Sequence, residues 1–211
     1  AIEEITGEKV ELYGSGRTDA GVHSLGQVAN FKTNSKLPIE KVAIAINSKL
    51  KKSIRIKKAE EVSENFHSRY NCHKKKYRYI INNSSQGSAI YRGLEYHVSQ
   101  KLNVEKMKKA IKFFEGEHDF KAFKSSGTSS KSSVRTIYNA ELKQNGERII
   151  IELTGNGFLY NMVRIISGTL LEVGLGNIKA EDIPNIIENK DRKMAGKTLP
   201  PHGLYLVEVM Y

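Results

Sequence analysis

Apolar residues recur at helical spacing in some stretches of the chain and alternate with polar residues in others. In LPIEKVAIAINSKL (37–50), Ile39, Val42, Ala43, Ile46 and Leu50 share one face and Pro38 stands near the start, which predicts an amphipathic helix. NVEKMKKAIKFFEG (103–116) predicts a second, with Val104, Met107, Ile111 and Phe114 inward, lysines outward and Gly116 as a stop. FLYNMVRIISGTLLEVGLG (158–176) is nearly apolar and reads as a buried helix. Strands are expected over 10–13, 27–33, 54–62, 76–82, 136–142, 148–154 and 204–210, several of them alternating. Strands and helices mix without the regular βαβ order of a parallel sheet. The expected fold class is therefore α+β with a largely antiparallel sheet.

Two polar stretches read as surface loops. NNSSQGSAIYRG (82–93) is an excursion rich in serine and asparagine. KSSGTSSKSSVR (124–135) carries three basic residues and no acid; it is either a segment that a phosphate backbone orders or a tolerated flexible insertion. At 211 residues the chain can bury a substantial core. Its single cysteine, Cys72, excludes an internal disulfide, and no Cys/His cluster has zinc spacing, so a reducing cytoplasmic setting and no metal are expected. No apolar run approaches the length of a membrane span, and the opening AIEEITGEKV resembles neither a signal nor a transit peptide.

Charge changes the picture more than composition does. The formal net charge is +11, and residues 51–150 carry all of the excess, with 22 lysines and arginines against 10 acids. Such a patch attracts polyanions, and nucleic acid leads the partner classes; the competing reading is a solvated lysine-rich face.

GSGRTDAGVH (14–23) is the most pointed local pattern. As a P-loop it fails, because Val22-His23 stand where Lys and Ser/Thr are needed; as GxGxxG it places Asp19 where a pyrophosphate should approach. No nucleotide cofactor is expected. A bare turn explains the glycines but leaves Arg17 unexplained. A carboxylate on a tight turn two residues after an arginine suits a nucleophile or a base, against the alternatives of a helix cap and a surface ion pair.

Arg164 is the only charged residue between Leu153 and Leu171. On so apolar a helix it either meets a buried acid, for which Asp19 is the candidate, or snorkels to solvent. FHSRYNCHKKKYRYII (66–81) brings Arg69, Lys74, Lys75, Lys76 and Arg78 together with Tyr77 and Tyr79 and no acid. Cations for phosphates beside rings for stacking suit RNA; strand tyrosines also serve as ordinary core packing.

Taken in order, GSGRTDAGVHSLGQV (14–28), FHSRYNCHKKKYRYII (66–81), FEGEHDFKAF (114–123), VRTI (134–137), GNGFLYNMVRIISGTLLEVG (155–174), Asp191-Arg192 and GLYLVEVMY (203–211) resemble the tRNA pseudouridine synthase I (TruA) family. The resemblance implies a pseudouridine synthase fold, two α+β halves sharing a mainly antiparallel sheet with a central cleft. On that pattern residues 1–70 form the N-terminal half with the Asp19 loop, and 71–211 form the C-terminal half, with strand 203–211 lining the cleft. It implies Asp19 as the catalytic aspartate, Arg164 as its basic partner, Tyr77 packing on the target uracil, Arg17 assisting base extrusion and Leu204 as an apolar wall. Arg69, Arg78, Lys74, Lys75 and Lys76 are expected to bind the tRNA. The implied activity is isomerisation of uridine to pseudouridine at positions 38, 39 and 40 of the anticodon arm, by a homodimer without cofactor; the alternative is a catalytically silent tRNA-binding module. Family members begin with a YDG-type strand and a helix ahead of the position matching Ala1, and both are expected to be missing from this chain.

Overall fold

A computed structural model describes residues 1–127 and 132–211, so the middle of the serine-rich loop 124–135 lies outside the described residues. The chain divides into two compact units, one of residues 1–16 and 28–72, the other of residues 17–27 and 73–211. The loop carrying Asp19, expected with residues 1–70, thus packs with the second unit. The cause is the parallel pairing of His23–Ser24 with Tyr205–Leu206.

The first unit holds helices α1 (Ile2–Thr6) and α2 (Ile39–Lys49) and a two-residue antiparallel pairing of β1 (Tyr13–Gly14) with β3 (Ala29–Asn30). Helix α2 forms where the spacing predicts it, but only Ile46 is fully buried and Ile39 stays exposed. Side chains satisfy much of the backbone here. The buried Ser68 hydroxyl donates to the Tyr13 carbonyl at 2.7 Å, and Asn30 Oδ1 accepts from Ser68 N–H at 2.9 Å. The strand expected over 54–62 does not form. Alternation alone is insufficient without a neighbouring strand, and the Asn47 amide serves Ile56 instead, accepting its N–H at 2.7 Å and donating to its carbonyl at 2.9 Å.

The second unit is built on a seven-stranded, mainly antiparallel sheet. Its strands are β2 (His23–Ser24), β4 (Lys74–Asn82), β5 (Tyr96–His97), β6 (Gly116–Asp119), β7 (Val134–Asn145), β8 (Arg148–Gly155) and β9 (Leu204–Met210). They run in the order β2, β9, β4, β8, β7, β6, with β5 beside β4. Two pairings are parallel, β2 with β9 and β5 with β4; the first draws the Asp19 loop onto the sheet. β7 and β8 form a hairpin closed at Gly146-Glu147, where Gly146 takes a φ of 59° that other residues resist.

One face of this sheet carries the core. Tyr79 and Ile81 of β4 and Ile149, Ile151 and Leu153 of β8 alternate inward beneath α3 (Val104–Ile111) and α4 (Met162–Leu175), and α5 (Ile183–Asn189) closes the side. Helix α4 is apolar almost all round because it is covered almost all round. At Gly168 the segment 196–197 lies directly on the helix, and a β-carbon there would fall 1.8 Å from the Lys197 carbonyl oxygen. None of the helices of the described residues is long and apolar enough to cross a membrane.

Candidate active site

The loop 17–27 is shaped by its own turn and by β9. Val22 N–H closes on the Asp19 carbonyl at 3.0 Å, and Leu25 N–H reaches the Leu206 carbonyl at 2.8 Å. Gly21 sits at φ 84°, and a β-carbon on it would press to 3.1 Å from Pro201 Cγ. The glycine therefore answers to both backbone angle and close approach. The Asp19 side chain is left 40% exposed, facing a concavity.

Arg164 projects from the first turn of α4 and is fixed on three sides. Its Nε donates to the Leu199 carbonyl at 2.7 Å, and its Nη1 donates to Asn161 Oδ1 at 2.6 Å and to Asp19 Oδ2 at 3.2 Å. The guanidinium is 14% exposed, so the charge that the apolar helix could not bury alone is met by a carboxylate 145 positions earlier and by two neutral oxygens. Asn161 caps the helix in the left-handed conformation at φ 61°, which asparagine tolerates better than most residues.

The walls of the concavity come from β4, β9, the Asp19 loop and the segment that leads into α4. Tyr77 on β4 meets Phe158 edge-on at 5.1 Å between ring centroids, and Leu204 opens β9. Tyr79, the second tyrosine of KYRY, is fully buried: its hydroxyl donates to the Pro200 carbonyl at 2.8 Å, and burial pushes its pKa far above the usual phenol value. Arg17 stands exposed at the rim without an ion-pair partner among the described residues. The site thus gathers Arg17, Asp19, Tyr77, Arg164 and Leu204, five of the residues singled out by sequence.

The remaining cations lie elsewhere. Lys76 and Arg78 alternate with Tyr77 along β4 and bind the buried Glu152 carboxylate, at 2.9 Å and 2.6 Å. Burial alone would push the Glu152 pKa up, but the hydrogen bonds from Lys76 and Arg78 outweigh it and hold the carboxyl below the usual range. Lys74 lies 4.9 Å from the centre of the Tyr138 ring, and Lys75 is half-buried on the strand parity of Tyr77. Arg69 is exposed on the first unit. Among the described residues no cluster of three metal-ligating side chains forms.

The tRNA pseudouridine synthase family model matches residues 1–71 and 110–211. The chain belongs to this family. It is 54% identical over 211 residues to a tRNA pseudouridine synthase A of Acetivibrio thermocellus, covering all of this chain and 86% of the relative. The same coverage holds for a tRNA pseudouridine synthase A of Caldicellulosiruptor saccharolyticus at 54% identity and one of Thermoanaerobacter pseudethanolicus at 50%. Within the family's matched span lie three site groups to which sequence reasoning gave no role, Phe158, Asn161 and the Leu199 carbonyl. Asn161 had a signal, standing three positions before Arg164 in NMVR, the spacing of helix neighbours. The carbonyl had none, since a backbone acceptor is chemically the same in every residue.

Proposed function

We propose that this protein, an isomerase of the tRNA pseudouridine synthase family, converts uridine to pseudouridine in the anticodon arm of tRNA, at positions 38, 39 and 40, with Asp19 as the acting carboxylate. In the reaction the N1–C1′ bond breaks, the uracil turns while held, and a C5–C1′ bond forms. C5 gives up a proton and N1 gains one, so the balance calls for no oxidant, water or cofactor.

The observation that carries this reading is the Asp19–Arg164 pair, 3.2 Å apart in a concavity walled by Tyr77 and Leu204. Asp19 either attacks covalently or takes a proton on the way to a glycal-type intermediate, and a guanidinium held by Leu199 and Asn161 keeps the carboxylate oriented without reorganising during the reaction. The Tyr77 ring offers the uracil a packing surface. The target base has to leave its stack, at a cost of about a few kcal/mol, and Arg17 at the rim is suited to fill the gap it leaves. The reading includes a homodimer that holds one tRNA across both subunits.

Incubation with unmodified tRNA, followed by carbodiimide mapping, tests the proposal. Pseudouridine is expected at positions 38 to 40 and absent with Asp19→Asn, whose tRNA affinity should stay within about a few-fold of wild type because shape is kept while charge is lost. Wild-type turnover by Asp19→Asn, free of contaminating synthase, would overturn the role of Asp19; product confined to other positions would overturn the site specificity.

A further inference from the structure

A second concavity in the same unit, of about 530 Å³, opens where the segment 86–97 folds over the end of β4. Its one acid is already engaged. Glu95, 5% exposed, accepts from Asn82 Nδ2 on one oxygen and from Arg148 Nε at 2.7 Å on the other. Arg148 in turn covers the Tyr91 ring at 4.1 Å. His97 is occupied as well, with its Nε2 at 2.8 Å from the Ser84 carbonyl oxygen.

What stays open in the lining is Arg92, exposed and without an ion pair among the described residues, and the rings of Tyr96 and His202, tilted at 57° with centroids 6.3 Å apart. A free cation beside aromatic surface, with the neighbouring carboxylate neutralised, is complementary to the phosphate and base of a nucleotide.

The position ties this cavity to the chemistry. His202 lines it and Leu204 lines the active site, two residues apart in the chain. They are joined where the short 3-10 turn Pro201–Gly203 runs into β9, so one short segment contributes to both concavities. The cavity wall also holds the Asp19 loop: His23 Nε2 bonds the Gly93 carbonyl at 2.9 Å, its ring stacks on Tyr205 at 4.8 Å, and the Tyr205 hydroxyl donates to the Leu94 carbonyl at 2.5 Å.

We propose that this cavity is a second nucleotide subsite, which takes one nucleotide flanking the reacting uridine, its phosphate on Arg92 and its base against Tyr96 and His202. The proposal rests on the tRNA reading above. Occupancy would steady the 91–94 turn and, through His23, the exit of the catalytic loop.

The test is a salt titration of binding to unmodified tRNA by the full chain, for wild type, Arg92→Gln and His202→Ala, paired with single-turnover rates at saturating tRNA. For Arg92→Gln the slope of log K against log salt should fall by about 0.7 to 0.9, the value of one phosphate contact, with affinity about 3- to 10-fold weaker. For His202→Ala affinity should drop about 5-fold or more with the slope unchanged, as expected for a lost stacking surface. Both rates should fall along with affinity, since an empty subsite no longer steadies the 91–94 turn that holds His23. Unchanged affinity and slope in Arg92→Gln would overturn the subsite, as would a change in particle mass with unchanged tRNA binding, which would make this face a protein interface. These readouts do not depend on product: wild type that binds tRNA and forms no pseudouridine would sink the proposed function while the Arg92 comparison still decides the subsite.

Discussion

The two units hold themselves together by different means. In residues 1–16 and 28–72, Ile46 is the one hydrophobic side chain fully buried among the described residues, while Leu12, Ile44 and Tyr70 lie 58%, 72% and 76% exposed. Order there comes from side chains that bond backbone: Ser68 to Tyr13, Asn30 to Ser68, Asn47 to Ile56. In the second unit the sheet and α4 enclose an apolar core, and polar bonds such as those of Arg164 and Glu152 are added to it rather than standing in for it. Burial scales with area and is cooperative, whereas a hydrogen bond contributes about 0.5–1.5 kcal/mol net and is replaceable by water once local structure opens. The first unit should therefore open in pieces and the second as a whole.

The largest effect should come from the core. Ile151→Ala, at a fully buried position of β8, should cost about 2–5 kcal/mol and lower the main urea transition; a small change would mean that the sheet is not the cooperative body. Next is Arg164→Lys, which keeps charge and loses the fork that joins Leu199, Asn161 and Asp19. Single-turnover pseudouridine formation should fall about 100-fold or more, in the range of removing a preorganised electrostatic group, while amide exchange in the first unit is unaltered.

A smaller effect is expected for Ser68→Ala, which leaves the Tyr13 carbonyl without its donor. The loss should be about 1–2 kcal/mol, and it should be local, with faster exchange and proteolysis within residues 1–72 and no shift of the main transition. A shift of the main transition would erase the contrast between the units.

The smallest concerns pH. The Glu152 carboxyl is held below its usual pKa by Lys76 and Arg78, so its stabilising contribution is present above the ordinary glutamate range and is lost as pH falls through the depressed value. Glu152→Gln should flatten that acid limb by about 1 kcal/mol or less, measured as stability between pH 6 and pH 3. An unchanged limb would assign acid sensitivity to other carboxylates, Asp119 among them, which Ser133 and Lys190 hold low.

Legibility in the sequence followed the same division. Strand 204–210 and the apolar helix of 158–176 were readable because periodicity reports burial, and this unit is buried. Alternation over 54–62 suggested a strand, but a strand requires a partner, and Asn47 took that role. The pairing of Asp19 with Arg164 was readable from one charge stranded on an apolar helix. The pairing of Lys76 and Arg78 with Glu152 was not, since it depends on the β4–β8 register, which brings residues 74 positions apart side by side. For the same reason the cations of 74–78, read as one basic run, divide between two faces of a strand.

The parallel pairing of His23–Ser24 with Tyr205–Leu206 also sets a timetable. The residues that seat the Asp19 loop are made long after it, with Ser24 and Leu206 separated by 182 positions. At translation rates of about 5–20 residues per second, roughly 10–40 s pass before a nascent Asp19 can meet its supporting strand. Such a separation places this pairing among the slow, non-local steps of folding. During synthesis the Asp19 loop travels as an unformed segment while the whole basic middle of the chain, residues 51–150, is made ahead of the strand that seats it.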